Sequence, residues 1–169
     1  MAFVKEQGNV VAFAEFTDVE NADQLVLVSN EGLNDSSIID PLLKRATERI
    51  LSKLQSSSWW RSYFMNRSSS GISKVSDIPP LNANYIISRQ NDFTDLCVAT
   101  AMSEYILPLV ADFGSEDNAE RQKMGYYSHR AEGLLKELVE AGDWYDFDGS
   151  GVVTSDEKQA TVTNLRRVR

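Results

Sequence analysis

The chain has 169 residues, with 17 Lys+Arg against 25 Asp+Glu, one His and one Cys, enough for a single core that buries about two-thirds of the unfolded surface. One Cys rules out an internal disulfide and a Cys-based zinc cluster, and the lone His129 leaves a His-based cluster without partners. A formal net charge of -8 argues against a surface that grips nucleic acid non-specifically, because such binding needs clustered Lys and Arg.

Met1 to Val11 carries no apolar run of signal-peptide length, and no later run approaches the roughly 20 residues that span a bilayer, so no membrane association is expected. Val10 to Phe16 is short, apolar and partly alternating, which suits a strand or an extended arm and is also compatible with the start of a helix. Val19 to Ser29 is acidic and then apolar, and Asn30, Gly32, Asn34 and Asp35 mark a turn-rich break. Beyond it, Ile38, Ile39, Leu42, Leu43, Ala46, Ile50, Leu51 and Leu54 recur at steps of three and four, which predicts an amphipathic helix. A start near Ser36 or Ser37 would accommodate Pro41 close to the first turn.

Trp59, Trp60, Tyr63 and Phe64 follow, an aromatic surface too wide for one helix face, either deeply buried or offered to a partner. Asn66 to Asn84 is rich in Ser and contains Gly71 and Pro79-Pro80, and is expected to be a projecting loop. Tyr85 to Phe113 repeats apolar residues at helical spacing, with Pro108 expected to kink or shorten its last turns. Glu116 to Gly142 predicts another amphipathic helix. The expected fold is therefore mainly α: a bundle of three to four amphipathic helices over residues 1–157, with a projecting loop at 66–84 and an extended C-terminal arm at 158–169.

That arm is basic. Lys158, Arg166, Arg167 and Arg169 give the last twelve residues +4 with no acid, leaving -12 on residues 1–157. It reads either as a docking arm or as an ordinary disordered terminus.

The sharpest motif is Asp146 to Glu157, DFDGSGVVTSDE, which fits the twelve-residue calcium loop of an EF-hand. A hard cation needs many oxygens within a short length of chain. Asp146, Asp148 and Ser150 stand at the first, third and fifth positions, Val152 would offer its carbonyl, Thr154 would act directly or through water, and Glu157 would close the site with two oxygens. Gly151 sits at the sharp bend and Val153 at the position that normally tucks into the core. Two features depart from the pattern: Gly142 and Asp143 interrupt the entering helix, and the β-branched Thr161 to Thr163 leave room for only a short exiting one. With no second loop to pair with, a calmodulin-like switch is not expected, and calcium would bind no tighter than about micromolar. The competing reading is a solvated Asp-Gly turn without metal.

Catalysis finds little support. Cys97 lies on an apolar helical face and His129 on a different helical stretch, and no phosphate-binding Gly loop, nucleophile elbow or paired metal spacing is present.

Over residues 16–140 the order of parts resembles the head-tail connector (adaptor, or head-completion) proteins of tailed bacteriophages. The residues that carry it are Phe16-Thr17-Asp18-Val19-Glu20, the helix Ile38-x3-Leu42-Leu43-x2-Ala46-x3-Ile50, and Trp59-Trp60 with the long loop after it. They continue with Arg89-Gln90-Asn91-Asp92-Phe93-x2-Leu96-Cys97-x3-Ala101 and a last helix holding Tyr126-Tyr127 and Leu134-Leu135. The resemblance implies a virion neck protein without enzymatic activity: about twelve copies in a ring around a DNA channel, a loop reaching a stopper or tail protein, and a C-terminal arm on the portal. On that reading Trp59, Trp60, Tyr63 and Phe64 are candidates for the ring contact and Arg166, Arg167 and Arg169 for the portal contact. The genome passes without specific binding, since the acidic body repels phosphate. The alternative is a stand-alone calcium-binding interaction protein, in which metal orders the C-terminus and exposes the aromatic patch.

Overall fold

Gln7 and Gly8, with φ of 50° and 85°, form a two-residue turn of the kind that matches strand twist in hairpins. They join β1 (Val4–Glu6) to β2 (Asn9–Ala12) in an antiparallel pair that sets Lys5 opposite Val10 and Glu6 opposite Asn9. Everything else of length in this computed structural model, which describes residues 3–66, 72, 74–114 and 118–158, is helical. The fold is mainly α, as expected.

The acidic stretch after β2 folds as two short helices, α1 (Phe16–Ala22) and α2 (Gln24–Ser29). Asp18 accepts the Glu15 N–H and Asp23 accepts the Val26 N–H, so each helix start has a side-chain acceptor for an otherwise unpaired backbone donor. α3 (Ser36–Ser56) starts where its spacing predicts, capped by Asp35 on the Ser37 N–H at 2.8 Å. Pro41 lies in the second turn, and its missing N–H deprives the Ser37 carbonyl of a donor. Both residues are exposed. Ile39, Leu43, Ala46, Thr47, Ile50 and Leu54 form the buried stripe.

Ser57 breaks the helix with an extended backbone, and α4 (Ser58–Asn66) carries the aromatic cluster. The end of the loop expected to project does not project. Ile78 packs against the core, Leu81 and Ala83 are buried, and the Pro79 carbonyl accepts the Trp60 indole N–H at 3.1 Å. Residues 67–71 and 73 of that loop lie outside the described residues.

α5 is shorter than its periodicity predicts, running from Gln90 to Ala101. Arg89, at φ 54°, sits in the left-handed region that ends any helix reading back towards Tyr85. Downstream the chain widens into a π turn (Met102–Ile106) and then tightens into a 3-10 turn (Leu107–Leu109). Pro108 cannot donate to the Glu104 carbonyl, and the widened turn accommodates the lost bond. α6 (Ala119–Ala141) is capped by Asn118 on the Arg121 N–H and ends at Gly142, whose φ of 57° suits glycine.

α3 packs on α5, and α5 on α6. The hairpin is pinned to α3 and α5 at Phe13, whose N–H donates to Thr47 Oγ1 at 3.1 Å and whose carbonyl accepts from Thr94 Oγ1 at 2.8 Å. Two buried hydroxyls thus satisfy both backbone groups of a buried residue. The buried apolar side chains form one cluster, from Phe3 to Tyr145.

Candidate metal centre

The loop begins where α6 is tied off. The Leu138 carbonyl accepts both the Gly142 N–H at 3.1 Å and the Trp144 indole N–H at 2.7 Å, which folds Trp144 into the core. The Trp144 carbonyl accepts the Ile87 N–H, and the Asp146 N–H donates to the Tyr85 carbonyl at 2.9 Å, a short antiparallel bridge between 85–88 and 144–146. Arg89 grips Asp143 with two nitrogens, which holds the Asp143 carboxyl below its ordinary value. Asp146, the first residue of the loop, is therefore fixed beside the N-terminal end of α5.

Within the loop, Gly149 and Gly151 have φ of 74° and 83°, so the bends fall on residues without a Cβ. Asp146 Oδ1 accepts from the Gly149 and Ser150 N–H groups at 2.8 and 3.2 Å, and its Oδ2 from Gly151 at 2.7 Å. Asp148 accepts the Ser150 N–H at 2.9 Å. Glu157 Oε1 accepts from the Phe147 and Asp148 N–H groups at 2.7 and 3.0 Å, and its Oε2 from the Thr154 N–H and hydroxyl at 2.8 and 2.9 Å. Burial raises the Glu157 carboxyl, but these bonds, led by those from Thr154, outweigh it and leave it below its ordinary value. The Ser150 hydrogen bonds lower Asp148 in the same way.

This donor set fits a hard divalent cation. Asp146, Asp148 and Glu157 each bring an oxygen within 4.8 Å of the others, and the Ser150 hydroxyl and the Val152 carbonyl lie 3.0 Å apart. Asp146 and Glu157 are buried and Asp148 is exposed. Val153 is half-buried and the Val152 side chain is exposed, while the Val152 carbonyl accepts the Ser150 hydroxyl. The flanks differ from a paired EF-hand: four residues, Gly142 to Tyr145, separate α6 from the loop. On the far side Thr154 starts a single turn through Glu157 and Lys158, where the described residues end.

The aromatic cluster is not a surface. Trp59 and Trp60 are 1% exposed, Tyr63 is 8% exposed and Phe64 is half-buried, which corrects their assignment as a ring contact. The groups that cover them come from the loop end of the chain: Trp144 lies 4.4 Å from Trp59, Tyr145 5.1 Å from Trp60 and Phe147 3.5 Å from Tyr63 between ring centroids. The Trp-Tyr-Asp-Phe run at 144–147 holds these partners, and its density of aromatics next to a ligand position was the available signal. Arg166, Arg167 and Arg169 lie outside the described residues.

Cys97 is sealed among Thr47 and the Leu43 carbonyl, and burial pushes its thiol up to about 11. His129 stands on the surface beside Glu132, so the two do not form a dyad. A groove of about 500 Å³ runs between α1, α5 and α6, lined by Asp18, Asp95, Tyr126 and Arg130 among others. No helix among the described residues is long and apolar enough to cross a membrane. Compared with family models, curated proteins and solved structures, the chain matches none of them.

Proposed function

We propose that the protein is a structural subunit of a head-tail connector ring in a tailed bacteriophage, with Asp146 to Glu157 serving as a calcium-binding clasp at the root of its basic C-terminal arm. The observation that carries this reading is the placement of Lys158. The first residue of the +4 segment follows directly on Glu157, whose carboxylate is bonded back to Phe147 and Asp148, and the loop is packed on the aromatic core. A ring subunit that grips a portal needs an arm leaving a rigid body from a fixed point, and this chain has the charge contrast and the anchor for one.

Asp146, Asp148, Ser150, the Val152 carbonyl, Thr154 and Glu157 would hold the cation, which supplies positive charge to a cluster of three carboxylates. With the aromatic cluster committed to the core, the ring contact passes to other apolar groups. Leu25 and Val28 on α2, and Leu109 and Phe113 after the π turn, are each more than 60% exposed. Two different patches on each subunit are what a closed heterologous ring requires. The alternative reading, a stand-alone calcium-binding interaction protein, needs metal to uncover the aromatic patch that Trp144, Tyr145 and Phe147 pack against here.

The test is electron microscopy of the purified protein mixed with tail-less phage heads or their isolated portal ring, in calcium and in chelator. A ring of about a dozen copies on the portal is expected. A monomer that ignores the portal in both buffers would overturn the connector reading, and calorimetry without heat at millimolar calcium would overturn the cation.

A further inference from the structure

We infer that the basic segment 159–169 docks on its own chain, in the groove between α1, α5 and α6. The groove encloses about 500 Å³. Val98, Ala99 and the Tyr127 ring are its buried apolar lining, whereas Asp18 is half-buried and Asp95 and Tyr126 are exposed. The Tyr127 hydroxyl donates to the Ala22 carbonyl at 3.4 Å and ties α6 to α1 at the groove. Charge singles out the occupant. No Lys or Arg stands between Lys5 and Lys44, and Glu15, Asp18, Glu20 and Asp23 fall on α1 or at its caps. Among the described residues only Asp23 of these four has an ion-pair partner, Lys123. Arg130, the one cation described in the lining, donates to Asp95 at 3.3 Å and to the Tyr126 hydroxyl at 3.4 Å. The α1 side of the groove is therefore acidic and uncompensated.

Residues 159–169 supply the complement: Arg166, Arg167 and Arg169 with no acid, interleaved with Leu165 and Val168. Guanidinium groups pair with carboxylates and stack on aromatic rings such as Tyr126, and the aliphatic side chains suit the apolar lining. The path is short. Lys158, where the described residues end, lines a recess with Ser88 and Asp143, just ahead of Gln90 at the start of α5. Asn91, one residue further along, already lines the groove. Eleven residues reach up to roughly 35–40 Å when extended, several times the rise of about 12 Å along α5 from Gln90 to Val98. A tether of this length holds the arginines near the acids at an effective concentration of about millimolar, so individually weak ion pairs suffice, and a second copy in dilute solution does not compete. The inference goes beyond the connector reading and does not rest on it; on that reading the portal competes with the groove for the same arginines.

Paramagnetic relaxation in nuclear magnetic resonance tests this on the full chain. Val168→Cys takes a nitroxide label, and Cys97 is buried away from the reagent. At low ionic strength the amide signals of 91–99 and 126–130 are expected to be lost, and to return when the nitroxide is reduced. Salt at about 1 M, where the screening length is about 3 Å, should restore them, as should Arg166→Glu combined with Arg167→Glu and Arg169→Glu. Asp95→Lys probes the groove from its own side at an exposed position and should weaken the effect. Groove amides that the label leaves unchanged would overturn the inference, as would losses that persist in the triple variant. Losses seen only when nitroxide-bearing chains are mixed with isotope-labelled ones would also overturn it, because the occupant would then be a second copy. A docked segment on a chain that forms no ring on the portal would uphold this inference and overturn the connector reading.

Discussion

Glu157 Oε1 accepts the backbone N–H of Phe147 at 2.7 Å, joining the two ends of the loop across ten positions of chain. Burial raises this carboxyl, but the donors from Thr154, Phe147 and Asp148 prevail and hold it below its ordinary 4.5. A depressed folded value means that the stability it brings is fully present above the unfolded value and is lost as pH falls through the folded one. Asp143, lowered from 3.8 by its hydrogen bonds to Arg89, acts in the same direction. Urea midpoints are expected to be flat from neutral pH to about 5 and to fall below that. Glu157→Gln should lower stability at neutral pH by about 1–3 kcal/mol and flatten the acid limb. A variant as acid-sensitive as the wild type would show that the loss arises elsewhere.

Asp146 and Asp148 should separate under mutation although both are candidate ligand positions. Asp146 is buried and accepts three backbone N–H groups. Asp146→Ala leaves those donors unpaired, and a stability loss of about 2–3 kcal/mol is expected along with loss of calcium binding. Asp148 is exposed and accepts one backbone N–H, so Asp148→Ala should weaken calcium binding in calorimetry while lowering the thermal midpoint in chelator by much less than Asp146→Ala. Equal destabilisation by both would contradict the division of roles.

The two adjacent tryptophans also differ. Trp60 Nε1 donates to the Pro79 carbonyl at 3.1 Å, whereas Trp59 Nε1 is buried without a partner among the described residues. A buried unpaired donor costs about 1–3 kcal/mol, comparable with the volume lost on replacing Trp by Phe. Trp59→Phe is therefore expected to be nearly neutral and Trp60→Phe to be clearly destabilising, as read by chemical denaturation. The reverse order would show that packing volume, and not hydrogen bonding, governs the pair.

Ring formation can be probed without disturbing the core. Leu25 and Val28 are 67% and 61% exposed, so Leu25→Glu with Val28→Glu should leave helical circular dichroism and the melting curve near those of the wild type. On the connector reading the pair should abolish ring assembly on the portal in electron micrographs. Rings that form normally would take α2 out of the contact.

Periodicity and end signals were enough for α3 and α6. Asp35 before the apolar stripe and Gly142 after the last one mark ends that the structure reproduces at Ser36 and Ala141. These are local properties, since a helix needs only its own spacing, its cap and a residue able to take a positive φ. The loop was legible for the same reason: its carboxylates and glycines lie within twelve residues and bond mainly to one another.

The start of α5 was not legible in this way. Tyr85 to Ser88 continue its apolar pattern, yet the structure turns them into a bridge with Trp144 to Asp146, and Arg89 breaks the helix behind them. The aromatic cluster marks the same limit. Trp59, Trp60 and Tyr63 on their own read equally as a core or as a surface, because an amphipathic pattern states which residues share a face and not what covers it. Their cover, Trp144, Tyr145 and Phe147, arrives from some eighty residues further along the chain. By itself the sequence determined the course of α3, the end of α6 and a set of oxygen donors within twelve residues, all set by interactions of short range. The tertiary structure alone decided that the loop and the aromatic helix are one packed unit, because burial depends on which distant segments meet.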